Sequence, residues 1–195
     1  MSIPIIINYI VYSIWLIIPL RQIKTYYFFF FLIYSISSAL LLIDIIFLIH
    51  PANLYLGQGF FLIFFLQDFK KIPKYIFFLT GILIFSIILP FLLSIEIITF
   101  CLIIEHVIIF SIILKQIVLY SSLQGKLNFF QLVLLLFEIS MITRFIVVAG
   151  NLKTGIIFFY LTAAFGILIG IFFLFYNEKN SPKLRLAKED MIDTG

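Results

Sequence analysis

The sequence predicts an all-α protein: a polytopic bundle of seven transmembrane helices over 1–176, N-terminus outside and C-terminus cytoplasmic, with a short tail at 177–195. Three observations predict it. Of 195 residues, 64% are hydrophobic and only 11% charged, against about 25% charged in soluble domains. The mean hydropathy is +1.26, so the chain cannot cover itself with polar surface and must take lipid as its solvent. The apolar residues also fall into runs near the ~20 residues that a helix needs to cross the hydrocarbon. A lone segment in lipid satisfies its backbone only by hydrogen bonding within itself, and no run shows the strict alternation of a transmembrane β-strand.

The first run, 3–20, opens at Pro4 and closes at Pro19. It lacks the basic n-region of a signal peptide and reads as a retained helix. The second, 26–49, contains Tyr27-Phe28-Phe29-Phe30-Phe31 and a single acid, Asp44. The third, 54–69, is the weakest, with Gly57, Gln58 and Gly59 early and Gln67 and Asp68 late. The fourth, 75–95, holds Pro90, expected to kink it. The fifth spans 97–119, the sixth 128–149 and the seventh 155–176.

Charge argues that the third run crosses rather than turning back. With seven crossings and the N-terminus out, Arg21, Lys24, Lys70, Lys71, Lys74, Lys115, Lys126, Lys179, Lys183, Arg185 and Lys188 all fall on the cytoplasmic side. Only Arg144 and Lys153 fall outside. A third run that failed to cross would reverse this bias, against the positive-inside rule.

The seventh run carries Thr162, Gly166 and Gly170 at four-residue spacing, with Ala163 beside them. This strip lets a neighbouring backbone come close, either within the bundle or in a homodimer. Ser35 and Ala39 offer a similar face on the second run.

Ionisable side chains inside apolar spans cost about 2.5–3.5 kcal/mol on insertion scales and face the bundle interior. They are therefore the candidate ligand-binding residues: Asp44, Glu105, His106, Glu138 and Arg144, with Asn8, Tyr12, Gln58 and Tyr160 as companions. By the expected threading all lie at compatible depths toward the outer face, Asp44 about 8 Å and Glu105 about 12 Å below it. Two readings stand side by side. One is a structural network in which Arg144 pairs with a carboxylate. The other is a polar cavity, open to the outside, that binds a small ligand or moves a proton.

Other chemistries find little support. Cys101 is the only cysteine, and His50 and His106 are the only histidines, so no metal centre is expected. Glu105 and His106 are adjacent and point about 100° apart on a helix. No cofactor is expected; in particular, the seventh run has no lysine for a retinal Schiff base. The net charge of +4 sits in loops where it sets orientation, so nucleic acid is not an expected partner. The expected partners are the lipid bilayer and a protein at the cytoplasmic face or tail. The tail is basic at Lys179, Lys183, Arg185 and Lys188, then acidic at Glu189, Asp190 and Asp193. It fits anchoring to anionic lipid, docking of a partner, or disorder.

The layout resembles small seven- or eight-helix bacterial membrane proteins. A fragment, Leu40-Leu41-Leu42-Ile43-Asp44-Ile45-Ile46-Phe47 followed by Leu56-Gly57-Gln58-Gly59-Phe60, is similar to the lysoplasmalogenase-like family of membrane hydrolases. There an Asp is embedded in an apolar stretch and followed by a Gly-led helix. The resemblance implies hydrolysis of lyso-ether lipids with Asp44 taking part. The chain departs from the family where Met141 follows Ser140 and where Phe65 stands in place of a helix-three histidine.

The reading that follows is a non-enzymatic sensor, receptor or membrane-complex subunit of a bacterial cytoplasmic membrane, with an outward-facing polar cavity. The alternatives are a membrane-embedded lipid hydrolase and a small proton or solute transporter.

Overall fold

In a computed structural model, residues 3–47, 51–67, 81, 93–150 and 155–186 are described, with side chains for all of these except 43–47, 51–54, 67 and 155–156. Among the described residues six helices follow in order: α1 (Ile3–Arg21), α2 (Phe28–Phe47), α3 (Pro51–Gln67), α4 (Ile95–Gln124), α5 (Phe129–Ala149) and α6 (Gly155–Phe175). Strand β1 (Lys126–Asn128) lies between α4 and α5, and β2 (Lys183–Arg185) follows α6. The fold is thus predominantly α-helical. The expected fourth run, 75–95, and its Pro90 lie almost wholly outside the described residues.

Four described helices are long and apolar enough to cross a bilayer: α1, α4, α5 and the stretch Ile157–Phe175 of α6. Two shorter apolar stretches lie at Phe28–Leu42 and Tyr55–Leu66. Helices also turn large apolar side chains outward, among them Ile10 and Ile17 on α1, Ile36 and Leu40 on α2, and Phe100, Ile104 and Val107 on α4. Apolar faces of that extent are what a lipid-facing surface presents.

The interior is built on aromatics. Trp15 of α1 packs on Tyr34 of α2, Phe137 of α5 and Phe173 of α6, with ring centroids 5.5, 4.5 and 6.3 Å away. Within the Phe run, Phe30 and Phe31 are buried and only Phe28 and Phe29 are partly exposed. Phe29 stacks on Phe65 at 5.3 Å. Phe65, which stands where the lysoplasmalogenase-like pattern has a histidine, is therefore a packing residue here.

The glycines of the seventh run serve packing within the bundle. A Cβ on Gly170 would lie 2.6 Å from Ile14 Cγ2, and one on Gly166 would lie 3.9 Å from Val11 Cγ1. The strip therefore receives α1, as small-residue faces allow. Ser35 on α2 likewise donates to the Leu16 carbonyl of α1 at 3.1 Å.

One end of the bundle is tied by a polar hub around residues 22–27. Buried Gln22 donates from Nε2 to the carbonyls of Phe173 and Tyr176 at 2.8 and 2.9 Å. Tyr26 OH donates to the Leu66 carbonyl at 2.7 Å, and Tyr27 OH to Gln116 Oε1 at 2.7 Å. Here α4 stops at Gly125, whose left-handed φ of 59° is a conformation that glycine adopts without steric cost. Asn128 then caps α5, accepting from the Phe130 N–H at 3.0 Å. Its amide donates to the Glu178 carbonyl at 2.9 Å.

The tail returns to this same end. β2 pairs antiparallel with β1 in the register Lys126–Arg185, Leu127–Leu184 and Asn128–Lys183. Leu186 N–H extends the ladder to the Gly125 carbonyl at 3.0 Å. Of the expected tail 177–195, residues 177–186 thus fold against their own bundle; the remainder lies outside the described residues. Arg21, Lys24, Lys126, Lys179, Lys183 and Arg185 all collect at this basic end.

Candidate functional site

The polar groups inside the spans form two connected features, a buried cluster and a cavity. The cluster centres on Glu138 of α5, which is fully buried. His106 Nδ1 of α4 lies 2.7 Å from Glu138 Oε2. Tyr34 OH of α2 donates to Glu138 Oε1 at 3.2 Å. Three helices are thereby joined through one carboxylate, and each of its oxygens has a partner. The His106 ring also lies 5.2 Å from that of Phe145, which fixes its tilt. A buried acid with this arrangement is held by hydrogen bonding rather than left bare in hydrocarbon.

The cavity lies beside this cluster, with a volume of about 90 Å³. Its polar wall includes Asn8 and Tyr12 of α1, Tyr34, Ser37 and Ser38 of α2, Tyr55 and Gln58 of α3, Ser140 and Arg144 of α5, and Thr162 of α6. Trp15, Leu41 and Phe137 close the apolar side. The space is smaller than the ~150 Å³ that accommodates benzene, yet large enough for several waters. Gln58 is buried, and among the described residues neither its amide oxygen nor its nitrogen has a partner. Thr162, by contrast, satisfies its hydroxyl on the Phe158 and Phe159 carbonyls at 3.0 Å each.

The cavity runs from the middle of the bundle, at Tyr12 and Phe137, into the half away from the basic end, at Asn8 and Arg144. Asn8 lies thirteen residues before Arg21 along α1, or about 20 Å. Arg144 lies fifteen residues beyond the start of α5, or about 22 Å from the basic end. Asn8, Tyr12, Gln58 and Arg144 line this one cavity, Asn8 and Arg144 in the half away from the basic end and Tyr12 and Gln58 near the middle of their helices.

The expected sharing of one chamber by the acids needs correction. Arg144 lines the cavity, whereas Glu105, His106 and Glu138 are not on its wall. Tyr34 stands between them, touching the cavity on one side and Glu138 on the other. Glu105 points elsewhere, against Gly59 of α3: a Cβ built there would lie 2.8 Å from the Glu105 carboxyl carbon. Both Glu105 oxygens are buried without a partner among the described residues. The two glutamates diverge because α4 rotates about 100° per residue. His106 faces α5, so its neighbour Glu105 faces α3. The expected pairing of Arg144 with a carboxylate is also not seen among the described residues, where the buried carboxylate of Glu138 meets His106 and Tyr34 instead. The side chain of Asp44 lies outside the described residues. Among those described, no group of three His, Cys, Asp or Glu side chains is placed to hold a metal ion.

Tyr34, Ser37, Ser38 and Tyr55 were not singled out from the sequence. Tyr34, Ser37, Ser38 and Leu41 share one helical face at i, i+3, i+4 and i+7. That stripe of hydroxyls in an otherwise apolar run was the available signal.

No protein family, curated protein or solved structure matches this chain.

Proposed function

We propose that the chain is a seven-crossing integral protein of a bacterial cytoplasmic membrane, of the sensor, receptor or complex-subunit class, whose cavity takes a small polar ligand from outside. The observation that carries this reading is the cavity itself: hydroxyls, amides and one guanidinium from five helices converge on a space too small for a lipid tail. Its position away from the basic end supports an outward opening, since the basic end fits the cytoplasmic face.

The ends of the described helices support the odd crossing number. α3 finishes at the basic end, where the Leu66 carbonyl meets Tyr26. α4 also finishes there, and its 30 residues span about 45 Å, so it begins at the other end. The end of α3 and the start of α4 thus lie at opposite ends of the bundle, which supports a further crossing by the run 75–95.

A second reading, proton handling, is favoured by the chain of hydrogen-bonding groups from the cavity through Tyr34 to Glu138 and His106. Hydrolysis in the lysoplasmalogenase-like manner rests on Asp44 alone.

The test uses protein purified into nanodiscs and a panel of small neutral, zwitterionic and charged solutes, read by the thermal unfolding midpoint. At least one solute is expected to raise the midpoint in the native chain and fail to do so when Ser140→Phe fills the cavity. If no solute shifts the native protein, or the shift survives Ser140→Phe, the receptor reading falls. Turnover of a lyso-ether lipid that is lost with Asp44→Asn would replace it with the hydrolase.

A further inference from the structure

The β1–β2 ribbon carries a cationic face. In an antiparallel pair, residues opposite one another share a face, as do residues two apart on one strand. Lys126, Arg185 and Lys183 therefore share a face with the neutral Asn128, while Leu127 and Leu184 take the other. Lys126 stands directly across from Arg185, and like charges so placed destabilise a strand pair unless an anion lies between them. The ribbon has only three paired positions, and an isolated two-stranded ribbon is marginal in water. Glu178 accepts from the backbone N–H of Tyr26 at 3.3 Å and interacts electrostatically with Lys183 and Lys179, so it offsets part of the charge at Lys183, while Lys126 and Arg185 face each other across the ladder.

What surrounds the ribbon indicates the occupant. Leu123, Leu184 and Leu186 beside it are exposed, as are Leu20, Ile23, Tyr26, Phe175 and Tyr176 at the same end. Apolar and aromatic side chains mixed with lysine and arginine at the ends of spanning helices mark the headgroup level of a bilayer. A soluble acidic partner has no need of that leucine fringe, whereas a lipid supplies both an anionic headgroup and acyl chain.

We infer that the face formed by Lys126, Lys183 and Arg185 is a binding site for the phosphate headgroup of anionic phospholipid, which neutralises the like-charged cross-strand pair and fixes the tail ribbon to the membrane surface. The tail ribbon thereby becomes a lipid-responsive element of the basic end, separate from the cavity.

The test measures retention of short-chain phosphatidylglycerol and of short-chain phosphatidylcholine on the full chain in neutral detergent, by native mass spectrometry. The native chain is expected to prefer phosphatidylglycerol. The preference should fall about fivefold for each of Lys126→Gln, Lys183→Gln and Arg185→Gln, as each basic group near an anionic surface contributes on that scale. It should also weaken with added salt in the native chain, a readout that does not depend on how well any variant folds. Equal retention of the two lipids, or a preference indifferent to salt, overturns the proposal. So does a preference that emerges only when Glu189, Asp190 and Asp193 are neutralised, since the acidic tail would then be the occupant. Displacement of phosphatidylglycerol by equimolar inorganic phosphate would likewise overturn it, by reassigning the face to a free anion.

Discussion

Glu105 and Glu138 are buried glutamates on neighbouring helices, yet their surroundings ask different things of them. Glu138 satisfies both oxygens, on His106 and Tyr34. Truncating it strands two buried polar groups and removes a tie among α2, α4 and α5. Glu138→Ala is therefore expected to cost about 3–5 kcal/mol, read by chemical unfolding in detergent. A cost below ~1 kcal/mol would show that the cluster holds nothing together. Glu105 makes no hydrogen bond among the described residues, so Glu105→Gln should change stability by less than ~1 kcal/mol, as a near-isosteric exchange does. Its neighbour gives the sharper test. Gly59→Ala drives a methyl into the Glu105 carboxyl and should cost about 1–3 kcal/mol by overpacking. In the Glu105→Ala background that cost should largely vanish, because the obstructing carboxyl is gone. Additive costs in that double-mutant cycle would mean that the two residues do not share the space. The sequence made the acids visible as exceptions in apolar runs. It could not show that adjacent residues 105 and 106 would serve different helices, because a lipid-facing helix is apolar on nearly every side. No amphipathic stripe then tells which face turns inward.

At the scale of the helix pair, α1 and α6 meet through glycine. Gly170 and Gly166 share a face, but only Gly170 is tight: its added Cβ would meet Ile14 Cγ2 at 2.6 Å, whereas that of Gly166 has 3.9 Å to Val11. Gly170→Ala is expected to destabilise by about 1–3 kcal/mol. Gly166→Ala should be neutral or stabilising by up to ~1 kcal/mol, the helix-propensity gain of replacing glycine. Ile14→Ala should restore part of the loss in Gly170→Ala. If both alanine variants behave alike, the closeness at Gly170 is not what positions α6. The four-residue spacing of small residues made the strip legible from sequence, since close approach needs small side chains wherever it occurs. Its partner helix was not legible, because a small-residue face is compatible with a neighbour inside the bundle or outside it. The ribbon was missed for a related reason. Lys126-Leu127-Asn128 and Lys183-Leu184-Arg185 are too short for any periodicity, and their pairing depends on the chain after α6 returning to the connection between α4 and α5. Asn128, a polar residue just before an apolar run, was the local sign of the helix start that follows it.

For the whole molecule, the separation of a basic end from the polar cavity bears on the proposed orientation, and the tail supplies a pH test of how that end is assembled. Glu178 is half-buried behind the ribbon. Burial pushes its carboxyl up from the usual value of 4.5, against the opposing pull of the Tyr26 N–H and of Lys179 and Lys183. A carboxyl raised by folding holds its proton where the unfolded chain has already released it. Stability is then fullest below 4.5 and declines as the pH climbs through the raised value. In Glu178→Gln that decline is absent. The variant should match the native chain at acid pH and exceed it increasingly toward neutrality, as read by unfolding midpoints across the range. Parallel pH profiles would mean that the tail does not bury Glu178 in the membrane-inserted protein. Orientation is tested on the same end. Because residues 22–27, 125–128 and 176–186 meet there, they lie on one side of the membrane whichever side that is. On the proposed seven-crossing threading, the eleven-to-two distribution of basic residues assigns that side to the cytoplasm. A reporter that fluoresces only in the cytoplasm, inserted after Gly125 or fused after Gly195, should be bright at both sites. An impermeant thiol reagent should meanwhile reach Ser38→Cys, in a Cys101→Ser background, from outside intact cells. Two dark reporters would invert the protein. One bright and one dark would break the association of ribbon and tail, and labelling only after permeabilisation would close the cavity to the exterior.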